Sequence, residues 1–176
     1  NAQAAWRTDP SKTGKSGCMG DIGTHAAHLA EYISGLKISK ICADLNTVVE
    51  NRLLDDDGNV LLKFDNGANG VLFASQIAAG EENAIKIYVY GEKGGLEWHQ
   101  MEPNTLTVKW LDQPMQVYRT GTSYMSDIAK ANTRTPSGHP EGYLEAFANL
   151  YKNFALSLNA KLNGEELTEA MKDFPT

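Results

Sequence analysis

The spacing of apolar residues along this chain changes after Gly35. Before that point, positions from Asp21 to about Ser34 recur every three or four residues, which predicts an amphipathic helix that Gly35 would end. Residues 1–16 are polar and include the breaker pair Asp9-Pro10, so a loop is predicted to precede this helix. The positions that form the helical pattern are Ile22, His25, Ala26, Leu29 and Ile33.

Short β-rich segments follow the helix, and several of them alternate between apolar and polar residues. Turn residues divide them, among them Asp57-Gly58, Asn66-Gly67 and Gly94-Gly95. Tight connections of this kind predict a largely antiparallel sheet, because parallel neighbours need much longer crossovers. The segments read ISKICADLNTVVE, NVLLKFDNG, NGVLFASQIAA, NAIKIYVYG, GGLEWHQ, NTLTVKWL and MQVYRT.

Residues 122–140 are predicted to form a long loop, and residues 141–164 a second amphipathic helix that Gly164 ends. The order of one helix, many strands and another helix predicts an α+β fold. In this fold, an open, largely antiparallel sheet of about six to eight strands carries helices on one face. The apolar stripe of the second helix consists of Tyr143, Leu144, Phe147, Leu150, Tyr151, Phe154 and Leu158.

The composition is that of an ordinary globular chain: 176 residues, 41% hydrophobic and 22% charged, enough for one domain with a sizeable core. The formal net charge is −6 and the basic residues are scattered, which argues against a nucleic-acid surface. No apolar run approaches the roughly 20 residues of a membrane span. Cys18 and Cys42 form no CxxC pattern, so a reduced, cytoplasmic setting is predicted.

One stretch places an acid and two histidines after a glycine cluster: GCMGDIGTHAAH, residues 17–28. His25 and His28 follow Asp21 by four and seven residues, so a helix would present all three on one face. The set could bind a metal with a further ligand from elsewhere. Alternatively, Asp21 could orient the His25 imidazole for proton transfer near neutral pH. In the third interpretation Asp21 only stabilises a helix N-terminus, and spacing alone favours this one.

Two further polar residues occupy positions suited to ligand contact. His139 lies between glycine and proline in PSGHPEG, before the second helix, and Gln76 lies in a predicted strand. Taken alone, a turn histidine and a solvent-facing glutamine are the simpler interpretations. The chain contains no GxGxxG after a strand, no P-loop and no GxSxG, so it carries no recognised dinucleotide-binding motif.

Together these motifs resemble the C-terminal domain of the Gfo/Idh/MocA oxidoreductases, the glucose–fructose oxidoreductase and inositol dehydrogenase family. In that family a glycine cluster leads to Asp-x-x-x-His on a helix that ends at glycine, as GCMGDIGTH and Gly35 do here. The resemblance also rests on Trp6-Arg7, on GEKGGLEW at residues 91–98 and on GHPEGYLEAF at residues 138–147, which is similar to the sugar-dehydrogenase branch. It covers nearly the whole chain.

The resemblance implies a two-domain enzyme in which an N-terminal Rossmann domain binds NAD or NADP and supplies a lysine from a Glu-Lys-Pro motif. GEKGG at residues 91–95 lies in a strand turn and is not that motif. Residues 1–176 would then form the substrate-binding and oligomerisation domain, similar to the C-terminal domain of glyceraldehyde-3-phosphate dehydrogenase. We expect a fragment that lacks the Rossmann domain, is shortened at its C-terminal helix, and is inactive alone.

The resemblance also assigns roles by position. Asp21 and His25 match the family's catalytic acid/base pair, and no metal is implied. His25 would exchange a proton with the substrate hydroxyl, while Asp21 would orient the imidazole or contact a hydroxyl. Arg7, Gln76 and His139 would contact a sugar or polyol substrate. His28, which matches no catalytic position of the family, is assigned a structural role.

Two other functions stay open on the sequence: a non-catalytic dimerisation or binding module with the same fold, and a metal-dependent hydrolase built on His25 and His28. The predicted strands also carry four aromatic residues that would form a large patch if they faced water, and such patches typically mark interfaces. With the resemblance, this predicts a homodimer or homotetramer through the sheet face. The four residues are Tyr88, Tyr90, Trp98 and Trp110.

Overall fold

The computed structural model describes residues 6–167 and divides the chain into two compact units, residues 1–82 and 83–176. Each unit contains one antiparallel sheet, so the predicted α+β class with antiparallel strands is confirmed. The strands form separate sheets of three and four strands, however, where one sheet was expected. The separation falls in residues 76–85, where Gly80 adopts a φ of 90° and the chain turns instead of joining a ladder.

The first unit places its helices before a three-stranded meander of order β1-β2-β3. The predicted loop at its start contains a 3₁₀ turn at residues 6–8 and a short α-helix, which Asp9 caps by accepting the Ser11 N–H at 3.0 Å. The elements are α1 (Pro10–Thr13), a π-helical turn (Met19–Gly23), α2 (Thr24–Ser34), β1 (Ile38–Asn46), β2 (Asp57–Phe64) and β3 (Asn69–Ser75).

The core of this unit lies between α2 and one face of the sheet. Along β2, Val60, Leu62 and Phe64 are buried while the intervening residues are exposed, as the alternating sequence predicts. Leu72 and Ala74 of β3 lie on the same face. The partly buried residues that pack against this core lie in the π turn, α2, the adjoining loops and the start of β1: Met19, Ile22, Ala26, Ala27, Ala30, Leu36, Ile38 and Ala68. In the first unit, therefore, helices cover one sheet face as predicted.

Two predicted turns are wrong. Gly94-Gly95 opens a strand of the second unit, Gly94–His99, and the turn before it is formed by Glu92 and Lys93. Asp57-Gly58 belongs to β2, where Gly58 pairs with Leu45 and Ala74. An added Cβ at Gly58 would lie 2.8 Å from the Met19 sulfur and 2.9 Å from a Leu45 methyl carbon. The glycine is therefore required by the packing of the π turn onto the strand, and a sequence pattern cannot distinguish this from a turn glycine.

The second unit is a four-stranded meander of order β4-β5-β6-β7 followed by two helices. The predicted loop at residues 122–140 contains a short helix, since Ser126 caps it by accepting the Ala129 N–H at 3.3 Å. No helix within residues 6–167 has the length and apolar character needed to cross a membrane. The elements are β4 (Lys86–Gly91), β5 (Gly94–His99), β6 (Thr105–Trp110), β7 (Gln116–Arg119), α3 (Asp127–Asn132) and α4 (Tyr143–Asn163).

The four aromatic strand residues do not form one surface. Tyr88 pairs with Glu97, whereas Trp98 is the next residue along β5 and therefore lies on the opposite face of the pleated sheet. By the same alternation Tyr90 joins Tyr88, and Trp110 joins Trp98. The expected single aromatic patch is therefore wrong: the tyrosines and the tryptophans occupy different faces.

Candidate functional site

Two of the glycines that flank Asp21 lie in close-packed surroundings. An added Cβ at Gly17 would lie 2.4 Å from the Asp55 carbonyl oxygen, and one at Gly23 would lie 2.7 Å from the terminal methyl carbon of Met19. Glycine is therefore required at position 17, where the neighbouring atom belongs to the backbone, whereas at position 23 the Met19 side chain would have to shift. The Thr24 N–H donates to the Met19 carbonyl five residues back, which makes this first turn a π turn, a feature common at functional sites.

Asp55, in the loop between β1 and β2, holds the start of this turn. Its carboxylate accepts hydrogen bonds from the Ser16 hydroxyl at 2.9 Å, the Gly17 N–H at 2.8 Å and the Met19 N–H at 2.7 Å. Its own carbonyl accepts the Cys18 N–H at 2.8 Å. Partial burial alone would raise the pKa of Asp55, but these hydrogen bonds outweigh it and hold the pKa below its ordinary value.

Cys18 is fully buried beneath the turn. Burial, with a further contribution from the nearby negative charge of Asp55, raises the pKa of its thiol to about 11. The thiol is therefore protonated at neutral pH, and it acts as a core side chain and not as a nucleophile.

Asp21 stands at the centre of the residues that the sequence singled out. Its Oδ2 atom lies 3.2 Å from a guanidinium nitrogen of Arg7 and 3.5 Å from the Gln76 side-chain nitrogen, which donates to it. Arg7 in turn lies over the Trp6 ring, 5.5 Å from its centroid. Three of the five predicted site residues, Arg7, Asp21 and Gln76, are thus brought together within the first unit.

These side chains line a cleft of about 410 Å³. A cleft of this size, lined by a few convergent polar groups, is typical of a small-molecule site. Lys15 also lines it, and within residues 6–167 its ammonium group has no hydrogen bond or ion pair. The cleft therefore offers a free cation beside the Arg7–Asp21 pair.

His25 lies in the first turn of α2, with an exposed side chain. Within residues 6–167 no hydrogen bond joins it to Asp21, whose carboxylate is directed to Arg7 and Gln76. The acid/base role of His25 and Asp21 stays a prediction.

His28 is also exposed, and its ring lies 6.1 Å from that of Tyr32, one turn further along α2. Within the described part of the chain no group of three or more His, Cys, Asp or Glu side chains is arranged to hold a metal ion. His139 belongs to the second unit. It closes a turn there by donating its N–H to the Pro136 carbonyl at 3.1 Å, and its predicted contact with substrate stays a prediction.

Comparison with known proteins bears on what this cleft binds. Residues 1–97, which include the glycine cluster, Asp21, His25 and Gln76, match the model of the GFO/IDH/MocA C-terminal domain. The chain belongs to the Gfo/Idh/MocA family. The resemblance predicted from the sequence motifs is confirmed.

Relatives in this family are oxidoreductases by name. The chain is 34% identical over 168 residues to an uncharacterized oxidoreductase, YfiI, of Bacillus subtilis, covering 94% of this chain and 43% of that protein. An oxidoreductase structure from Sinorhizobium meliloti is 44% identical, with a TM-score of 0.79, over 82% of this chain and 42% of that one. An inositol dehydrogenase homolog from Azotobacter vinelandii, complexed with NADH and myo-inositol, is 33% identical, with a TM-score of 0.84, over 93% and 42%.

The Gfo/Idh/MocA chain described here thus spans less than half the length of these relatives. Two residues of its site were missed by sequence reasoning. Lys15 gave no signal, because a lysine in a polar loop is ordinary. Asp55 begins the run Asp55-Asp56-Asp57, and this run of three acids beside the Gly17 turn was the one feature that could have marked it.

Proposed function

We propose that this chain is the substrate-binding domain of an NAD(P)-dependent dehydrogenase that oxidises a secondary alcohol of a sugar or polyol, or reduces the corresponding ketone. One observation carries the proposal: Arg7, Asp21 and Gln76 converge on a cleft beside the helix that bears His25. The myo-inositol and NADH in the complex of the Azotobacter vinelandii relative support the substrate class and the cofactor.

The cleft groups suit hydroxyl recognition. Arg7 and Lys15 donate hydrogen bonds, Gln76 can donate and accept, and Asp21 accepts, so neighbouring hydroxyls of a polyol can be matched. In the oxidative direction a neutral His25 imidazole would take the hydroxyl proton as the carbonyl forms, and in the reverse direction the imidazolium would return it. Asp21 would contact a second hydroxyl and fix which carbon reacts.

The nicotinamide, when bound, supplies the hydride acceptor. The chain carries no recognised dinucleotide motif, and its cleft is of a size for a sugar, so we propose that a separate nucleotide-binding domain holds NAD or NADP. His139 is proposed as a further substrate contact. We further propose a cytoplasmic protein that forms a homodimer or homotetramer, with no nucleic-acid or membrane partner.

The test uses the full-length protein with a panel of polyols and both nicotinamides. His25→Ala should lower kcat by about 10²–10⁴-fold, the usual contribution of a general acid or base. His28→Ala is the matched control: it is an exposed histidine on the same helix, against Tyr32, and should leave kcat unchanged. Residues 1–176 alone should not oxidise any polyol.

Each part of the proposal is contradicted by a different result. A loss well under tenfold in His25→Ala would remove the acid/base role. Polyol binding without turnover of either nicotinamide would favour the non-catalytic module. A loss in His28→Ala equal to that in His25→Ala, together with stoichiometric zinc, would favour the hydrolase.

A further inference from the structure

The helix start that carries Asp21 is only partly capped by its own residues: the Ser16 hydroxyl accepts the Gly20 N–H at 2.9 Å. The donors at its start are the Ser16 hydroxyl and the Gly17 and Met19 N–H groups, and all three donate to the carboxylate of Asp55, 36 to 39 residues away. Orphan N–H groups at the start of a helix normally find a capping side chain next to them in sequence. Here the acceptor for the Gly17 and Met19 N–H groups comes from the loop between β1 and β2.

The same loop also touches the other wall of the cleft. Asp56 follows Asp55 directly, and its carbonyl accepts the Gln76 N–H at 2.9 Å. The Asp56 carboxylate is fully buried and accepts the N–H groups of Val48 and Val49 at 2.8 and 2.9 Å, which fixes the loop itself. Consecutive residues therefore hold the turn below Asp21 and the backbone of Gln76.

We propose that Asp55 is a positioning residue of this site: its carboxylate sets where Asp21 and His25 stand relative to Gln76, without itself contacting substrate. Its oxygens accept the three donors of the turn, and Asp55 does not line the cleft, so the group acts through the helix start. This inference rests on the proposed function, because it requires that Asp21 and His25 act on a substrate.

Asp55→Asn is the direct test, because it keeps the size of the side chain and replaces one acceptor oxygen with an NH₂ group. At least one of the three donors then loses its acceptor. In the full-length protein kcat should fall by about ten- to hundredfold, since small misplacement of reacting groups has effects of this size. KM should change by less than about threefold, because the substrate contacts remain.

The double variant Asp55→Asn/His25→Ala separates positioning from general damage. If Asp55 acts through the acid/base pair, its substitution should change kcat by less than about threefold once His25 is absent. An equal loss of kcat in both backgrounds would overturn the proposal. So would an unchanged kcat in Asp55→Asn where His25→Ala has lost activity. If His25→Ala itself has no effect, the proposed function fails, and the positioning role fails with it.

The buried thiol of Cys18 gives a second readout that does not depend on activity. In a Cys42→Ser background, which removes the exposed thiol, Cys18 can be labelled only when the turn opens. Asp55→Asn should raise the labelling rate about tenfold or more, the effect of losing one hydrogen bond to a charged group. The control is Asp44→Asn: Asp44 is an exposed acid on β1 whose carboxylate has no hydrogen bond or ion pair within residues 6–167, so the labelling rate of this variant should stay within about twofold of the parent.

If Asp55→Asn does not fold, the same contact can be tested with the milder variant Ser16→Ala. It removes one donor to Asp55 and the acceptor for the Gly20 N–H at 2.9 Å, and leaves the two backbone donors in place. A smaller change in the same direction, both in labelling and in kcat, is expected. Labelling rates that match the parent in Ser16→Ala would overturn the proposal.

Discussion

At the scale of single residues, the Arg7–Asp21 ion pair contributes little to the stability of the fold. The two side chains are 52% and 34% exposed, and exposed pairs contribute only about 0–1 kcal/mol. What the pair does achieve is to hold a carboxylate and a guanidinium at a fixed place on the cleft wall. A ligand with several hydroxyls can use both groups without displacing either, because each keeps unused hydrogen-bonding positions.

Lys15 is expected to contribute binding and not chemistry. Lys15→Ala in the full-length protein should raise KM about tenfold or more with kcat nearly unchanged, because a hydrogen bond from a charged group is lost equally in ground and transition states. Lys12→Ala is the control: Lys12 pairs with Asp9 at 3.5 Å on α1 and does not line the cleft. A fall in kcat with unchanged KM in Lys15→Ala would show that Lys15 acts in the chemical step instead.

The sequence identified Asp21, Arg7 and Gln76 through motifs, but it could not place them. Arg7 and Gln76 lie 14 residues before and 55 residues after Asp21, and only the folded unit shows that one carboxylate meets both. Asp55 escaped notice for the same reason, since its partners lie in a different element. Contacts between residues that are far apart in the sequence produce no repeating pattern from which they could be predicted.

At the scale of elements, the alternation of apolar and polar residues predicted where the strands lie, but it did not predict that they form two sheets. In β2 and β3 the apolar residues that alternate in the sequence are the ones that are buried in the structure, among them Val60, Leu62 and Leu72. The break between the two sheets depends on a turn at Gly80, which looks like any other connection. The π turn was likewise not predicted, because the hydrogen bond from the Thr24 N–H to the Met19 carbonyl leaves no periodic signal in the sequence.

The loop between β1 and β2 should make the first unit sensitive to acid. Burial alone would raise the pKa of Asp55 and of Asp56, but amide hydrogen bonds hold both pKa values below the ordinary one. A depressed pKa in the folded state stabilises the fold above the ordinary aspartate value of about 3.9, and this contribution is lost as the pH falls through the folded value. The urea midpoint should therefore be level from pH 7 to about 5 and fall below about pH 4.

The variant Asp56→Asn tests whether Asp56 causes the fall of the urea midpoint at low pH. The variant should be less stable at neutral pH, where the charged acceptor of the Val48 and Val49 N–H groups is missing. Its urea midpoint should depend less on pH between about 5 and 3 than that of the parent. A parallel pH profile for parent and variant would show that other carboxylates control the acid response.

At the scale of the whole molecule, the two faces of the second sheet differ in character. Tyr88 and Tyr90 share their face with Glu97, His99 and Lys109. The Tyr88 hydroxyl lies 3.1 Å from the His99 ring nitrogen, and Glu97 contacts both His99 and Lys109. This face is aromatic and polar together, a composition that protein interfaces often show.

The proposed homo-oligomer can be tested on that face. Light scattering of the full-length protein should give a dimer or tetramer, and Tyr90→Asp should reduce the assembly, because Tyr90 is 79% exposed and would be buried against a partner. Tyr124→Asp, a change to another exposed tyrosine that lies outside the strands, should leave the mass unchanged. A monomeric parent at high concentration would contradict the proposal.

The contact between Asp55 and residues 16–19 also has a consequence for how the chain folds. Helix α2 and the hairpin of β1 and β2 are local structures, whereas the cap joins residues 36 to 39 positions apart and requires the intervening loop to close first. During folding, the helix and the hairpin can therefore form before the cleft does. The chemistry of this site is expected to be among the last properties that folding creates and among the first that local unfolding removes.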